Sequence, residues 1–354
     1  MKIHEIYIKR CLEIAKNGLG NTFPNPSVGC VIVHNGSIIG EGYTSKAGGP
    51  HAEVNAISAV KDASLLRKAT LYVTLEPCSH HGKTPPCADL ITAMEIPRVV
   101  IGTLDSNKEV SGRGVKQLIE HGCDVTIGVL EEECRWLNRR FFCFHEKKRP
   151  YIILKWAESV DGYIAPQPDT RNSENPKPVW LSGKTSRQLV HKWRSEEQAI
   201  LVGTGTAMAD NPALNTRDWF GNSPVRIVID KTGNIPLNYR LFDGKAPTLV
   251  FTEDVKRHSQ SLPSNVEFIP LNKNITFPQQ VCATLFERNI QSIIIEGGAV
   301  TLSSFIKEGL WDEARVFRSD VMLEAGIKAP SLQPQAYASQ HSGNDRLLFF
   351  RNEH

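Results

Sequence analysis

The run His51-Ala52-Glu53 is followed by Glu76-Pro77-Cys78 and then by Cys87. One imidazole and two thiols are donor types that zinc prefers, and three protein ligands leave the open position of a catalytic site. Zinc in such a site turns bound water into a nucleophile near neutral pH. Glu53 stands close enough to move protons without binding the metal. The same stretch predicts its own scaffold. From His51 to Val60, the spacing of Ala52, Ala56, Ala59 and Val60 suits a helix, with His51 and Glu53 in its first turn. Thr70 to Leu75 reads as a strand leading into Glu76-Pro77-Cys78. Cys87 to Met94 reads as a second helix, whose N-terminus supports a thiolate at Cys87.

Outward from this stretch, strands and helices alternate. Val28 to Val33 and Ser37 to Tyr43 are short β-rich runs joined by Asn35-Gly36, a hairpin signal. Arg98 to Gly102 is a further strand. Glu131 to Phe144 is expected as one helical stretch, closed by the polar run His145-Glu146-Lys147-Lys148-Arg149-Pro150. The domain boundary is placed there, giving residues 1–147 and 148–354. The second part restarts with a strand at Tyr151 to Lys155. Ala199 to Val202, Val225 to Ile229, Thr248 to Phe251 and Ser292 to Ile295 follow as strands. Thr185 to Trp193, Phe277 to Arg288 and Thr301 to Lys307 have helical spacing. Alternation of this kind predicts an α/β sheet. Lys328 to Gly343 shows little periodicity and is expected as loop.

The 354 residues are enough for two ordinary domains. Hydrophobic content of 40% and charged content of 22% describe a globular chain. A formal charge of +3 is too small to argue for nucleic acid or an anionic membrane. No apolar run approaches a membrane span, and Met1 to Arg10 lacks a signal-peptide core. Eight cysteines at mostly irregular spacings fit a reducing compartment better than a disulfide framework. The expected location is the cytoplasm, with a small-molecule substrate, no nucleic-acid or membrane partner, and a homo-oligomeric assembly.

Each candidate residue also has a plainer reading. A structural zinc would want a fourth ligand, which His80 or His81 could supply. Asn25 in Pro24-Asn25-Pro26 is either a turn residue or a substrate contact beside the metal. Asp105 and Asn107 follow a strand at the carboxyl end where α/β sheets bind ligands, and either could equally cap a turn. Glu296-Gly297-Gly298 between a strand and a helix, and Gly203-Thr204-Gly205-Thr206 after another strand, are glycine turns of the kind that seat phosphate on backbone N–H groups. Neither is the dinucleotide fingerprint, so no Rossmann domain is expected. Arg194 and Arg217 match phosphate geometry; surface solvation is the alternative for either. Lys155 reads as a lysine snorkelling from a sheet edge.

His-x-Glu opening a helix, then Pro-Cys and a later Cys, is the order of a zinc-dependent nucleobase deaminase. Here eight residues separate Cys78 from Cys87 where two are usual, and the insert Ser79-His80-His81-Gly82-Lys83-Thr84-Pro85-Pro86 is polar and turn-rich. With Pro24-Asn25-Pro26-Ser27-Val28-Gly29 it resembles the bifunctional riboflavin biosynthesis deaminase–reductases, in which the long insert is the usual form. The likeness runs over nearly the whole chain, through Ser159-Val160-Asp161-Gly162, Thr204-Gly205-Thr206, Asp210-Asn211-Pro212-Ala213-Leu214 and Glu296-Gly297-Gly298.

The resemblance implies a cytidine-deaminase-like three-layer α/β/α domain followed by a dihydrofolate-reductase-like α/β domain. The first would remove the 2-amino group of a diaminopyrimidinone carrying a ribosylamino 5′-phosphate. The second would reduce the ribosyl group to ribityl with NADPH. Zn2+ would be held by His51, Cys78 and Cys87, with Glu53 as the catalytic proton carrier. NADPH would lie near Ala157, Trp180, Thr206, Asp210, Gly298, Ala299, Val300, Thr301, Leu302, Ser303 and Ser304. Substrate would lie near Ser182, Arg194, Leu214, Arg217 and Glu296. The segment Pro166 to Pro178 is longer than the family's usual stretch. Pro178, two before Trp180, lacks a side-chain donor and is left out of the contacts. Two other readings compete: a deaminase acting on nucleosides, nucleotides or tRNA with an RNA-binding second domain, and a zinc-stabilised nucleotide sensor.

Overall fold

A computed structural model describes residues 2–79, 85–106, 112–167, 176–254 and 262–352. The chain folds as two units, Met1–Lys148 and Arg149–His354. His80, His81 and Asn107 lie outside the described residues, as does most of the segment from Pro166 to Pro178.

In the first unit a five-stranded sheet has the order β2-β1-β3-β4-β5, with β1 Gly29–His34, β2 Ser37–Tyr43, β3 Thr70–Leu75, β4 Arg98–Thr103 and β5 Asp124–Ile127. The turn between β1 and β2 places Asn35 at φ 49° and Gly36 at φ 76°, the left-handed pair that a tight hairpin demands. From β3 onward the strands run parallel. Helices cover both faces. On one side Tyr7, Ile8, Cys11 and Ile14 of α1 (Lys2–Ala15) and Cys134 of α5 (Glu131–Leu137) pack on Val31, Val33, Tyr72 and Val100. On the other, α2 (Ala52–Ser58), α3 (Cys87–Ala93) and α4 (Arg113–Glu120) pack on Cys30, Ile32, Leu71, Val73, Val99 and Ile101. Alternate residues of one strand thus feed two cores, which makes three layers.

Two expectations change here. The helix after His51 ends at Ser58, short of Val60. The stretch from Glu131 to Phe144 is two helices, α5 and α6 (Arg139–Lys147), because Asn138 leaves the helix to accept the Ser27 N–H at 2.8 Å through its side chain.

The second unit is built on a nine-stranded sheet. Its strands are β6 Tyr151–Glu158, β8 Ala199–Gly203, β9 Val225–Ile229, β10 Thr248–Thr252, β11 Val266–Pro270, β12 Ser292–Ile295, β13 Glu313–Arg318, β15 Ala338–Ser342 and β16 Asp345–Arg351. The order is β11-β10-β9-β8-β12-β6-β13-β16-β15, parallel up to β13 and antiparallel beyond it. Short strands β7 Tyr163–Ala165 and β14 Ile327–Lys328 form a separate pair. The helices are α7 Lys184–Glu196, α8 Thr204–Asp210, α9 Phe277–Glu287 and α10 Ala299–Lys307.

The central strands are apolar on both faces, with Ile152, Leu154, Leu201, Ile293 and Ile295 buried against Leu285, Leu302 and Phe305. The expected loop from Lys328 to Gly343 contains strand β15. Its first four residues are exposed, so it carries no apolar alternation, and pairing with β16 alone orders it. Lys155 is not at a sheet edge: β6 runs between β12 and β13 near the middle.

Candidate functional site

The first site begins with glycines in an edge strand. A Cβ on Gly42 would lie 2.4 Å from the Ala56 nitrogen and 2.5 Å from the Ala52 oxygen, and one on Gly40 would lie 2.4 Å from the Ala56 oxygen. Bare backbone in β2 and small residues on α2 bring helix and strand into direct contact. That contact fixes the start of α2, where His51 is the N-cap residue and Glu53 lies in the first turn. Cys78 follows β3 by three residues, and Cys87 is the first residue of α3.

The three donors meet: all ligand atoms of His51, Cys78 and Cys87 lie within 4.8 Å of one another. Nδ1 of His51 is 3.6 Å from Sγ of Cys78 and 3.4 Å from Sγ of Cys87. Tetrahedral zinc with usual Zn–N and Zn–S bond lengths sets an imidazole nitrogen about 3.5 Å from a thiolate sulfur. The donor set fits zinc in kind and in spacing. The Cys87 N–H also donates to Sγ of Cys78 at 3.3 Å.

Hydrogen bonding from Cys87 holds the Cys78 thiol below its ordinary range, while Cys87 is pushed up. Glu53 is 4% exposed. Burial first, then the charge of Cys78, pushes its carboxyl up to about 7. It stands outside the metal-ligand trio.

Glu76 is the residue here that the spacing arguments left without a role. Its Oε2 accepts the N–H groups of Asp105 (3.2 Å) and Gly112 (3.0 Å), and its Oε1 accepts those of Gly114 (3.0 Å) and Val115 (3.3 Å). One buried carboxylate thus ties the turn before Cys78 to the end of β4 and the start of α4. An acid ending an otherwise apolar strand was the available signal. Asp105 enters the site through this backbone bond, and Asn25 lies in a turn closed on the Thr22 oxygen at 2.9 Å.

In the second unit two helices start side by side. Gly203 at the end of β8 caps α8, and Gly298 after β12 caps α10; β8 and β12 are parallel neighbours. Gly203-Thr204-Gly205-Thr206 is therefore a helix start, not a free turn. A Cβ on Gly203 would lie 2.4 Å from Oγ1 of Thr301, and one on Gly298 would lie 3.3 Å from Oγ1 of Thr206. Without those Cβ atoms the two helix starts lie close together at the carboxyl edge of the sheet, and helix-end N–H groups of this kind are a cradle that suits a phosphate.

Thr206 and Asp210 lie on α8, and Ala299 to Ser304 form the first turns of α10. Val300 is exposed, whereas Leu302 is buried in the core and offers no side chain to a ligand. Ala157 lies on β6. Trp180 is half-exposed under the Arg187 guanidinium, 4.6 Å from its ring centre. The Ser182 carbonyl accepts from Arg187 at 2.7 Å.

Beside this cradle is a charged cluster. Arg194 donates to Glu296 at 3.3 and 2.8 Å and to the Asn215 carbonyl at 3.2 Å. Lys155 Nζ lies 3.9 Å from the same carboxylate. Burial raises the Glu296 carboxyl, but the Arg194 and Lys155 charges outweigh it and hold the group down at about 2. Burial pulls Lys155 below its ordinary range despite Glu296. Arg217 lies within electrostatic reach of Arg194 and Glu296, while Leu214, at φ 51°, is buried next to Asn215. The cluster thus brings together Arg194, Arg217 and Glu296. It adds Lys155, a lone charge in an apolar run, which in a central parallel strand had to find a partner.

Known proteins agree with both halves. Residues 1–103 match the family described as cytidine and deoxycytidylate deaminase zinc-binding region, and residues 150–335 match the RibD C-terminal domain. The riboflavin biosynthesis protein RibD of Aquifex aeolicus is 38% identical over 99% of both chains. That of Escherichia coli is 34% identical over 95% of this chain and 94% of its own. The crystal structure of a Thermotoga maritima diaminohydroxyphosphoribosylaminopyrimidine deaminase/5-amino-6-(5-phosphoribosylamino)uracil reductase superposes with a TM-score of 0.89, at 38% identity and 99% coverage of both chains. Likeness at this level, over the full length and through both units, means that the chain belongs to the RibD family of riboflavin biosynthesis proteins, in which a zinc-dependent deaminase is joined to an NADPH-dependent reductase.

Proposed function

We propose that residues 1–147 carry out the deamination and residues 148–354 the reduction, through the side chains described above. The observation that carries the first assignment is the trio itself: one imidazole nitrogen at 3.4 and 3.6 Å from two sulfurs, with a buried carboxylate in the same helical turn but outside the ligand set. His51, Cys78 and Cys87 would hold Zn2+, which would supply a water molecule made nucleophilic near neutral pH. Glu53, as the proton carrier, would pass one proton to the ring nitrogen and then a second to the departing ammonia, returning each time to its buried carboxylate state. Its burial keeps bulk water from competing for the proton. The four N–H groups gathered by Glu76 keep the Cys78 turn in place as charge shifts.

In the reductase half the supporting feature is the paired helix starts. NADPH would supply the hydride, and Thr206, Asp210, Gly298 and the residues from Ala299 to Ser304 at the starts of α8 and α10, with Ala157 and Trp180, would hold it. Arg194, fixed by Glu296, together with Arg217, Leu214 and Ser182, would orient the ribosylamino phosphate for reduction.

The eight free cysteines suit a cytoplasmic enzyme. No helix of the described residues is long and apolar enough to cross a membrane. The net charge of +3 favours a small phosphorylated substrate over nucleic acid, and we place the enzyme in a homo-oligomer. The test follows ammonia release and then NADPH oxidation on the diaminopyrimidinone ribosylamino phosphate, for the parent protein and for E53Q. The parent should release ammonia first and consume NADPH second. E53Q should keep its zinc, lose ammonia release about a hundredfold or more, and still reduce the deaminated product. Zinc-loaded parent protein that releases no ammonia would refute the residue assignment.

A further inference from the structure

His191 sits in the reductase wall, yet it belongs to neither the cofactor cradle nor the charged cluster. It is 2% exposed, on the same face of α7 as Arg194 three residues later. Its Nδ1 accepts the Arg217 backbone N–H at 3.3 Å, and its Nε2 lies 3.3 Å from Oδ2 of Asp218. A backbone N–H can only donate, so Nδ1 carries no proton. The proton is then on Nε2, which donates to the Asp218 carboxylate. The ring is neutral: burial first, then the charges of Arg194 and Arg217, hold it down to about 4 against the pull of Asp218 and Glu296.

Arg194 is committed to Glu296 and the Asn215 carbonyl. Among the described residues the Arg217 guanidinium has one ion pair, with Asp218 at 3.7 Å. The imidazole grips both ends of that arrangement. It anchors the main chain of Arg217 and engages the same Asp218 oxygen that faces the guanidinium.

We propose that His191 is a positioning residue for substrate in the reduction step: as the neutral Nε2–H tautomer it bridges the Arg217 backbone and the Asp218 carboxylate, leaving the Arg217 guanidinium directed at the substrate's phosphate monoester. This rests on the reading above that Arg217 binds that phosphate. A second guanidinium with a weak partner beside a committed one is an arrangement that a dianion completes. A neutral ring matters, because an imidazolium would add a third positive charge and lose the acceptor for the Arg217 N–H.

The experiment measures reduction of the deaminated substrate and of its phosphate-free counterpart. H191F keeps the ring volume and removes both nitrogens. H191N retains an acceptor where Nδ1 stands. For the phosphate-bearing substrate, H191F should raise KM about tenfold or more with kcat within about threefold. H191N, which keeps the acceptor but loses the donor to Asp218, should raise KM by clearly less than H191F does. The phosphate-free substrate should show no difference between H191F and parent, and H191F added to R217Q should cause no further rise.

Should H191F fail to fold, H191Q takes its place: its amide nitrogen can reach Asp218, but no acceptor stands where Nδ1 takes the Arg217 N–H, so KM should again rise. If R217Q distinguishes the two substrates while the His191 variants match the parent, or fall in kcat alone, the positioning role is overturned. If R217Q does not distinguish them, the phosphate reading of Arg217 fails and this proposal fails with it.

Discussion

Glu296→Gln removes a buried negative charge from between Arg194 and Lys155 while keeping the shape of the side chain. Glutamine stands in for the protonated acid, so the expected loss follows from the acid's own titration. The group lies at about 2 in the folded protein against an ordinary 4.5. At about 1.4 kcal/mol per pH unit, the ionised form contributes on the order of 3 kcal/mol at neutral pH. Because the folded value is depressed, that contribution is present above about pH 4.5 and is lost as pH falls toward about 2. The gap between E296Q and parent should therefore be full at pH 7 and under roughly half by pH 3. Burial already pulls Lys155 down; without its counter-charge it falls further and sheds its proton, which trims the loss.

Urea unfolding followed by tryptophan fluorescence reads the right unit, since every tryptophan except Trp136 lies in the C-terminal unit. In a unit of this size the midpoint temperature should fall by about 6–12 °C. E296Q matching the parent within about 0.5 kcal/mol at pH 7, or a gap that does not shrink in acid, would refute the reasoning.

Three further outcomes follow from the same geometry. Glu76→Ala leaves four N–H groups without their acceptor, and should destabilise the N-terminal unit by about 2–4 kcal/mol and weaken zinc retention, read by chemical unfolding and by metal analysis after dialysis. Chelation of zinc should abolish ammonia release yet leave NADPH oxidation on preformed product unchanged, because no ligand of the trio lies in the second unit. Gly203→Ala drives a methyl toward Oγ1 of Thr301, at 2.4 Å; it should raise the KM for NADPH about tenfold while ammonia release is unchanged, and equal cofactor KM values would show that the two helix starts do not form the cradle.

The local alphabet was legible. Asn35-Gly36 marked its hairpin, Thr70–Leu75 and Ser292–Ile295 match their strands to the residue, and the His-x-Glu and Cys spacing pointed to three donors that the fold brings together. These signals lie within a few residues of the features they specify, in turns, periodicity and motif order. Asn138 broke an expected helix because its side chain bonds Ser27, 111 positions away. Strand β15 has no apolar pattern of its own and exists through its partner β16.

The same division holds at the active surfaces. The identities of His51, Glu53, Cys78 and Cys87 were written in the motif; that the imidazole stands at tetrahedral spacing from both sulfurs depends on glycines in β2 admitting α2. The sequence alone left Lys155 as an edge residue and His191 without comment. Tertiary structure put Lys155 in a central strand and paired Arg194 with a carboxylate 102 positions later. Charge needs a partner when it is buried, and which partner arrives is settled by the order of strands in the sheet, information that no local window of sequence contains.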